Sequence, residues 1–565
     1  MNKIIECVPN FSEGRDLGKI KEITDAIESV EGVKLLDVDP GKATNRTVVT
    51  FVGEPHDVTE AAFRAIKKAS EIIDMSVHKG EHPRFGATDV CPLVPVANVT
   101  MKETIEYARK LAERVGKELD IPIYCYEFAA FNDDRKSLAN CRSGEYEALK
   151  DRIASEKWKP DFGPEEWSAK VAKTGATAIG ARNFLVAYNI NLNTTSTRRA
   201  NSIAFDVREA GRVKREGNKL TGKIIKDENG EPVRIPGTLK KTRAIGWYIE
   251  EYGIAQISIN LTDITVTPIH VAFDEISEKA RGRGIRVTGS ELVGLVPLQA
   301  MLDAGKYFLR KQQRSTGISD DEIIKIAVKS LGLDELKPFD PKKKIIEYMI
   351  ADDSAEKLVD KTLADFMYNT ASESPAPGGG SISAYVGALG AALGTMVANL
   401  SAHKRGWDDR WEEFTSWAEK GKEYHDALLK CVDEDTAAFN KIMAAFGMAK
   451  SSEKEKAERQ KAIQEATKNA IEVPLKVMLL AHDSMEVMQA MAETGNPNSV
   501  SDAGVGALCA RTAVEGALLN VKINAVGYED KNWLTKTMRK AEELLENARK
   551  KENEILQIVD EKINK

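Results

Sequence analysis

VKLLDVD (33–39) and RTVVTFVG (46–53) are two runs of strand character with no helical period between them. Moving outward, a helix-length segment lies on either side, Leu17 to Val30 before and Val58 to Ile73 after. Beyond these come two further apolar runs, IIECVPNF (4–11) and VCPLVPV (90–96). The order is β-α-β-β-α-β, the split βαβ or ferredoxin-like arrangement. A helix from Lys102 to Leu119 and a strand IPIYCYEF (121–128) extend it. After a polar connection around Trp158 to Trp167 the order returns: RNFLVAYNINL (182–192), a helix Thr195 to Glu209, IGWYIEEY (245–252), IAQISINL (254–261), a helix Ile269 to Arg281, and IRVTGSELV (285–293). No residue-level repeat accompanies it, so the duplication is one of architecture. Within it KLTGKIIKDENGEPVRIPG (219–237) reads as a surface hairpin with Asn229-Gly230 as a two-residue turn.

Beyond about Lys337 the texture changes. KPFDPKKK (337–344) is a Pro- and Lys-rich joint, after which strand signals vanish and helical period dominates. Helices are expected around Leu358 to Asn369, Ser381 to His403, Arg410 to Phe446, Glu453 to Asp483, Ala503 to Ala525 and Trp533 to the end. The expected class is therefore α+β followed by all-α: two ferredoxin-like βαββαβ subdomains, 1–178 and 179–336, a linker 337–354, and a helical bundle 355–565.

The 565 residues exceed what one hydrophobic core serves, which fits several domains. Lys+Arg 81 against Asp+Glu 87 leaves a charge of −6 with no dense basic stripe, so a nucleic-acid surface is not expected. The six cysteines, Cys7, Cys91, Cys125, Cys141, Cys431 and Cys509, form no C-x-x-C pair, and the start MNKIIECVPN has no apolar leader. A reducing cytoplasm is the expected location. The uncharged stretch Ser381 to His403 has the length of a membrane span but consists largely of Gly, Ala and Ser. A buried helix in a tight bundle is expected there, with Gly390 and Gly394 at the small-xxx-small spacing that lets backbones approach, and no membrane partner.

Chemistry concentrates in MSVHKGEHPRFGATDVCP (75–92), where His78, Lys79, Glu81, His82 and Arg84 alternate with Gly80, Pro83 and Gly86. That density of Gly and Pro makes a loop, and an imidazole between cations suits proton transfer beside an anionic substrate. The spelling H-x-x-E-H also matches a class of zinc peptidase, but Gly80 and Pro83 oppose the helix such a site needs, and no metal is expected. Arg46 and Arg182, each at a strand start, could clamp a carboxylate or form surface ion pairs. In SPAPGGGSI (374–382), Gly378 to Gly380 precede a helix and would expose backbone N–H groups to an anion or a flat ligand, or serve as a flexible connection. In LLKCVDEDTAAFNKI (428–442), Asp435 falls on the side of Cys431 and Phe439 and Asp433 toward water, so Asp435 is the candidate for a carboxyl of raised pKa.

Taken together, ECVPNFSEG (6–14), TNRTVVTFVG (44–53), HKGEHPRFGATDVCP (78–92), GATAIGARNFLVAYNINL (175–192) and SPAPGGGS (374–381) closely resemble the formimidoyltransferase-cyclodeaminases, bifunctional folate enzymes of histidine breakdown. The resemblance covers nearly the whole chain. It implies transfer of a formimino group from N-formimino-L-glutamate to tetrahydrofolate, then cyclisation to 5,10-methenyltetrahydrofolate with loss of ammonia. His82 matches the family's catalytic histidine and Asp435 its catalytic aspartate. The folate-contacting segment corresponds to Gly163-Pro164 through Gly175-Ala176, here a few residues longer than the family pattern, with Arg182 and Asn183 following it. Lys79, Arg84, Arg46 and Arg182 are the expected stabilisers of carboxylate and intermediate. Gly378, Gly379 and Gly380, with Asn498, Ser501 and Asp502, are the expected walls of the second pocket. The resemblance further implies a polyglutamylated folate and a homo-oligomer. An alternative assigns activity to the transferase half alone, with the helical half a folate-binding or assembly module.

Overall fold

The computed structural model describes residues 3–42, 44–80, 84–217, 222–350 and 357–565. His82, with Glu81 and Pro83, lies outside the described residues. Contacts divide the chain into two units, Met1–Ala304 with Leu331–Ala351, and Gly305–Ser330 with Asp352–Lys565.

The first unit begins β1 (Ile4–Cys7), β2 (Asn10–Phe11), α1 (Leu17–Glu28), β3 (Val33–Gly41), β4 (Arg46–Gly53), α2 (Pro55–Ile72) and β5 (Thr88–Ala97). The strand read as IIECVPNF is thus broken in two around Val8-Pro9. Helix α2 starts on Pro55, whose missing N–H costs nothing at a first helical turn, and buries Val58, Ala62, Ala65, Ile66 and Ala69 at helical spacing. Next comes α3 (Met101–Leu119), started by a Thr100–Glu103 capping box. Then follow β6 (Ile123–Glu127), the short helices α4 (Leu138–Cys141), α5 (Leu149–Ile153) and α6 (Ala169–Thr174), and β7 (Thr177–Ala181). The sheet runs β3-β4-β1/β2-β5-β7-β6, antiparallel up to β5 and parallel from β5 through β7 to β6. Alternation assigns its two faces. Ile5, Cys7, Val49, Phe51, Cys91, Leu93, Cys125 and Ile179 join the helices α1 to α3 in one apolar core. Glu6, Asn10, Arg46 and Tyr126 therefore project from the opposite face.

The second sheet comprises β8 (Val186–Leu192), α7 (Thr197–Val207), the two-residue pair β9 (Arg212–Val213) and β10 (Arg234–Ile235), β11 (Thr242–Ile249), β12 (Ile254–Leu261), α8 (Ile269–Arg281) and β13 (Val287–Val293). Its order is β11-β12-β8-β13, all antiparallel. The hairpin tip departs from the two-residue expectation. Asp227 donates its N–H to Glu231 O at 2.8 Å and Gly230 donates to Asp227 O at 3.1 Å, so three residues turn the chain, with Gly230 at φ +80°. Asp227 Oδ1, accepting from the amides of Asn229 and Glu231, favours this wider turn.

Two helices, α9 (Leu298–Lys311) and α10 (Asp320–Leu331), follow. Residues 305–330, read from sequence as part of the second subdomain, group instead with the helical unit. Their loop explains why: Thr316 Oγ1 donates to Glu419 at 2.5 Å, and Asn399 Nδ2 donates to Gly317 O at 2.8 Å. In the joint expected at 337–354, the described residues, up to Ile350, form α11 (Pro341–Lys344) and α12 (Ile346–Ile350). Ile345 and Ile346 are fully buried, and Glu347 accepts the N–H of Leu298 at 2.7 Å, so this stretch is a docked part of the first unit.

The helical unit continues with α13 (Leu363–Thr370), α14 (Gly379–Ala402), α15 (Trp411–Gly447), α16 (Glu453–Thr494), α17 (Val500–Asn524) and α18 (Lys531–Ile563). Among the described residues α14 alone is long and apolar enough to cross a membrane, and 61% of its apolar window is buried in the bundle. Its small residues are the reason. A Cβ on Gly390 would lie 2.7 Å from Gly506 O, and one on Gly506 would lie 2.9 Å from Gly390 O, so α14 and α17 touch backbone to backbone. A Cβ on Gly421 of α15 would similarly meet Thr395 Oγ1 of α14 at 2.3 Å.

Candidate active sites

At the end of the first sheet where β4 and β5 begin, a web of side-chain-to-backbone hydrogen bonds fixes the loops. Glu13 Oε1 accepts the amides of Gly14, Arg15 and Asp16 at 3.0 to 3.1 Å. Asn45, at φ +50°, accepts from Gly14 N through its side chain at 3.0 Å and donates Nδ2 to Lys79 O at 3.0 Å. The Asn45 carbonyl lies 2.9 Å from His78 Nε2, which makes that nitrogen the protonated one and leaves Nδ1 as an acceptor. Burial holds the His78 pKa below its ordinary value, with Arg84 adding to the effect. Gly80 presses on the same corner, since a Cβ there would meet Thr44 O at 2.1 Å. The chain entering the His82 segment is therefore held in place by residues from two other loops.

Of the cations expected around that segment, Lys79 is exposed and Arg84 pairs with Glu147. Arg46 donates to Asn10 Oδ1 and faces Asp89, which is ion-paired with Arg142. Asp89 reaches this position through a bulge: Asn10 opposes Val90 and Phe11 opposes Thr88, so Asp89 is the extra residue of β5. Burial pushes its carboxyl up to about 6, with Arg142 and Arg46 pulling the other way.

The glycines of the expected folate segment are explained by close packing. At φ +86°, a Cβ on Gly163 would lie 2.2 Å from Ile121 O, and on Gly175, at φ +64°, 2.5 Å from Phe85 O. Gly163-Pro164 sits at the entry to β6, and Gly175-Ala176 beside Phe85-Gly86. Arg182 and Asn183 are not with them. They follow the far end of β7, about 17 Å along a five-residue strand. There they line a cavity of about 520 Å³ with Lys136, Lys241, Arg243, Glu127 and Asp263. Asn183 Nδ2 donates to Asp263 Oδ2 at 2.6 Å. Buried Glu6 neighbours Arg182, and burial pushes its carboxyl up to about 7, against the pull of that guanidinium. Lys136, Lys241, Arg243 and Asp263 escaped the sequence reading because they come from separate loops and strand ends. The LKKTR run at 239–243 was the one available hint.

In the helical unit Gly378 caps α14 and Gly379-Gly380 open it, next to the carboxyl of Asp435 on α15. A Cβ on Gly380 would lie 2.1 Å from Asp435 Oδ1, so glycine is what admits the carboxyl to the helix end. Ser381 Oγ donates to Asp435 Oδ2 at 3.2 Å. The group met by the N–H of Ser381 at this helix end is thus the chain's own carboxyl. Burial raises the Asp435 pKa, while the hydroxyl and backbone N–H of Ser381 oppose the shift. Asp433, expected to face water, accepts the N–H of Leu358 at 2.7 Å.

Around Asp435 a cavity of about 180 Å³ is lined by Pro375, Gly378 to Gly380, Thr436, Phe439, Ile442, Asn520 and Asn524. The expected walls Asn498, Ser501 and Asp502 are elsewhere: Asn498 lies in the turn before α17 and Ser501 and Asp502 in its first turn, whereas Asn520 is 18 residues beyond Asp502, about 27 Å along the axis. Their loop caps the other end of α14, where Asn496 donates its N–H to Ser401 Oγ at 2.8 Å. Asn520 and Asn524 occupy the place assigned to them. Their i, i+4 spacing on a helix that also carries Gly516 was a signal the sequence did contain.

Comparison with known proteins gives three family matches along the chain: Formiminotransferase domain, N-terminal subdomain, over residues 4–182; Formiminotransferase domain over 187–351; and Formiminotransferase-cyclodeaminase over 362–560. The chain is 41% identical to the Mus musculus formimidoyltransferase-cyclodeaminase over 97% of each chain. It is 44% identical to the glutamate formimidoyltransferase of Thermoplasma acidophilum over 54% of this chain and 92% of that one. A methenyltetrahydrofolate cyclohydrolase of Methylorubrum extorquens is 35% identical over 36% of this chain and 98% of its own. With both units matched and full-length relatives at this identity, the chain belongs to the formimidoyltransferase-cyclodeaminase family.

Proposed function

We infer that this chain performs two consecutive steps on folate: transfer of the formimino group from N-formimino-L-glutamate to tetrahydrofolate, and closure of 5-formiminotetrahydrofolate to 5,10-methenyltetrahydrofolate with release of ammonia. The observation that carries the second step is Asp435, a carboxyl of raised pKa seated between Gly380 and Ser381 at the wall of a small cavity. The attack of N10 on the formimino carbon creates an amine that leaves only after it is protonated, and a buried carboxyl whose pKa is raised is suited to supply that proton. The reading of the helical half as a mere binding module leaves this placement without a purpose.

For the transfer step, His82 is the proposed proton donor to the departing glutamate nitrogen. The cationic cavity of Arg182, Lys136, Lys241 and Arg243 suits a ligand with carboxylates, which supports a polyglutamylated folate. Both sheets share one strand order, second-third-first-fourth within each βαββαβ set, which supports reading both subdomains as ferredoxin-like. Leu389, Met396 and Leu400 on α14 and Val505, Leu508, Leu519 and Ile523 on α17 are exposed apolar residues on adjoining helices, in keeping with a homo-oligomer. A cytoplasmic location fits six cysteines without a disulfide. No metal enters the proposal, and His78 Nε2 already faces a carbonyl.

The test mixes the purified chain with formiminoglutamate and tetrahydrofolate and follows glutamate, ammonia and methenyltetrahydrofolate absorbance together. Equal yields of all three are expected. Glutamate without ammonia would leave the helical half as a binding or assembly module, and no glutamate would remove the transferase assignment.

A further inference from the structure

The Asp435 cavity holds two side-chain amides whose orientation is fixed by what they donate to. Asn520 Nδ2 gives its hydrogen bond to Gly516 O at 2.9 Å and Asn524 Nδ2 to Ala470 O at 2.7 Å. A carbonyl can only accept, so in each amide one N–H of the NH₂ is given to the backbone and Oδ1 remains an acceptor on a residue that lines the cavity. Asn520 is the nearer to the chemistry. An ideal Cβ on Gly379 would lie 3.4 Å from Asn520 Nδ2 and 3.6 Å from Asn520 Oδ1, and one on the next residue, Gly380, lies 2.1 Å from Asp435 Oδ1. The two side chains thus flank adjacent residues of one helix end, while Phe439 and Ile442 supply an apolar wall.

Resting on the cyclodeaminase reading above, we propose that Asn520 is the residue that distinguishes a formimino from a formyl group, its Oδ1 accepting an N–H from the formimino nitrogen as that nitrogen becomes the leaving group. In the step, the N10–carbon bond forms and the carbon–nitrogen double bond to the formimino nitrogen becomes single. That nitrogen takes the N10 proton and one from Asp435, and the carbon–nitrogen bond then breaks with its electron pair, releasing ammonia and leaving the methenyl cation. The nitrogen carries more N–H bonds at every stage, so an acceptor beside it binds the transition state better than the substrate. A formyl oxygen has no N–H in that position and would face Oδ1 acceptor to acceptor. A site built to receive a hydrogen bond discriminates against the isostere that lacks the donor.

The experiment supplies 5-formiminotetrahydrofolate directly to the full chain and compares wild type with Asn520→Ala and Asn520→Leu. Turnover to ammonia is expected to fall about 10- to 100-fold, the range for losing a hydrogen bond to a group gaining charge. Glutamate release in the transferase assay should be unchanged. Inhibition by 5-formyltetrahydrofolate should stay the same or tighten in both variants, because the opposing acceptor is gone. A merely structural role for Asn520 would weaken turnover and formyl binding together, and that outcome, or ammonia release within twofold of wild type, overturns the proposal. Absence of ammonia release from the wild type would instead remove the cyclodeaminase reading on which it rests.

Discussion

The two candidate sites are held by opposite devices. In the helical unit the decisive feature is a missing atom: Gly380 has no Cβ, and the space it leaves is where Asp435 Oδ1 sits. In the α/β unit the decisive features are added atoms, the carboxylate of Glu13 and the amide of Asn45, which tie loops together across the sheet end. A helix end is already rigid and presents its N–H groups in fixed directions, so a site there needs only room. A loop has no internal ladder of its own and is fixed only by the partners that satisfy its backbone. One site should therefore fail when a methyl is added and the other when a hydrogen-bonding group is removed.

The largest effects test whether the sites are separate. Asp435→Asn is expected to reduce ammonia release by about 10²- to 10⁴-fold, the usual contribution of a positioned acid, with glutamate release untouched. His82→Asn is expected to do the reverse when 5-formiminotetrahydrofolate is supplied. Loss of both activities from either change would show that the two steps share one site. Gly380→Ala comes next. With a Cβ 2.1 Å from Asp435 Oδ1, the carboxyl must move, and ammonia release should fall about 100-fold while the transferase is spared. Normal cyclisation by this variant would mean the carboxyl's seat at the helix end is irrelevant. Asn45→Ala is the counterpart. It removes two hydrogen bonds and places alanine at φ +50°, and a loss of about 2 kcal/mol of stability with about a 10-fold lower transferase rate is expected. Asn45→Gly, which keeps the backbone conformation, should recover part of the stability and little of the rate.

The same contrast governs what could be read from sequence. Much of the helical unit was legible, because long periodic segments announce themselves: α14, α15 and α17 lie within three residues of where their period places them, whereas α16 runs on to Thr494, beyond the expected end at Asp483. Asp435 was found for that reason, its side of α15 following from the positions of Cys431 and Phe439. Much of the order of strands and helices was also legible in the α/β unit, but β7 and the short helices α4 to α6 were not read from the sequence. Also not legible there is which strand ends meet. Arg46 and Arg182 both open a strand-like run, yet Arg46 begins β4 and Arg182 follows the far end of β7, a difference made by pairing across the sheet. The bulge that turns Asp89 toward Arg142 depends on the register between β2 and β5, for which the sequence carries no local signal. In the bundle one misplacement was of the same kind. The polar loop holding Asn498, Ser501 and Asp502 looks like a pocket wall, but a helix of 25 residues separates its end from the end that carries Asn524.

The smallest expected effect bears on stability and on the buried charge beside Arg182. Glu6 projects from β1 onto the face opposite the helices, is 3% exposed, and has its carboxyl pushed up to about 7 by burial, with Arg182 opposing and Glu347 of α12 reinforcing the shift. Near pH 4.5 the folded chain keeps this proton while the unfolded chain begins to lose it. Stability therefore drains away as pH rises from about 4.5 to about 7, and levels off above that. Glu6→Gln cannot ionise and should not follow this decline. Measured by urea denaturation, the variant's advantage over the wild type should grow across that interval to about 1 to 3 kcal/mol at pH 8. If the advantage is instead constant with pH, the carboxyl titrates in the fold as it does in the unfolded chain and is ionised near neutrality. The Arg182 guanidinium would then be committed to Glu6 rather than left to a ligand's carboxylate, and the cationic cavity would lose the arginine on which its preference for anions was argued.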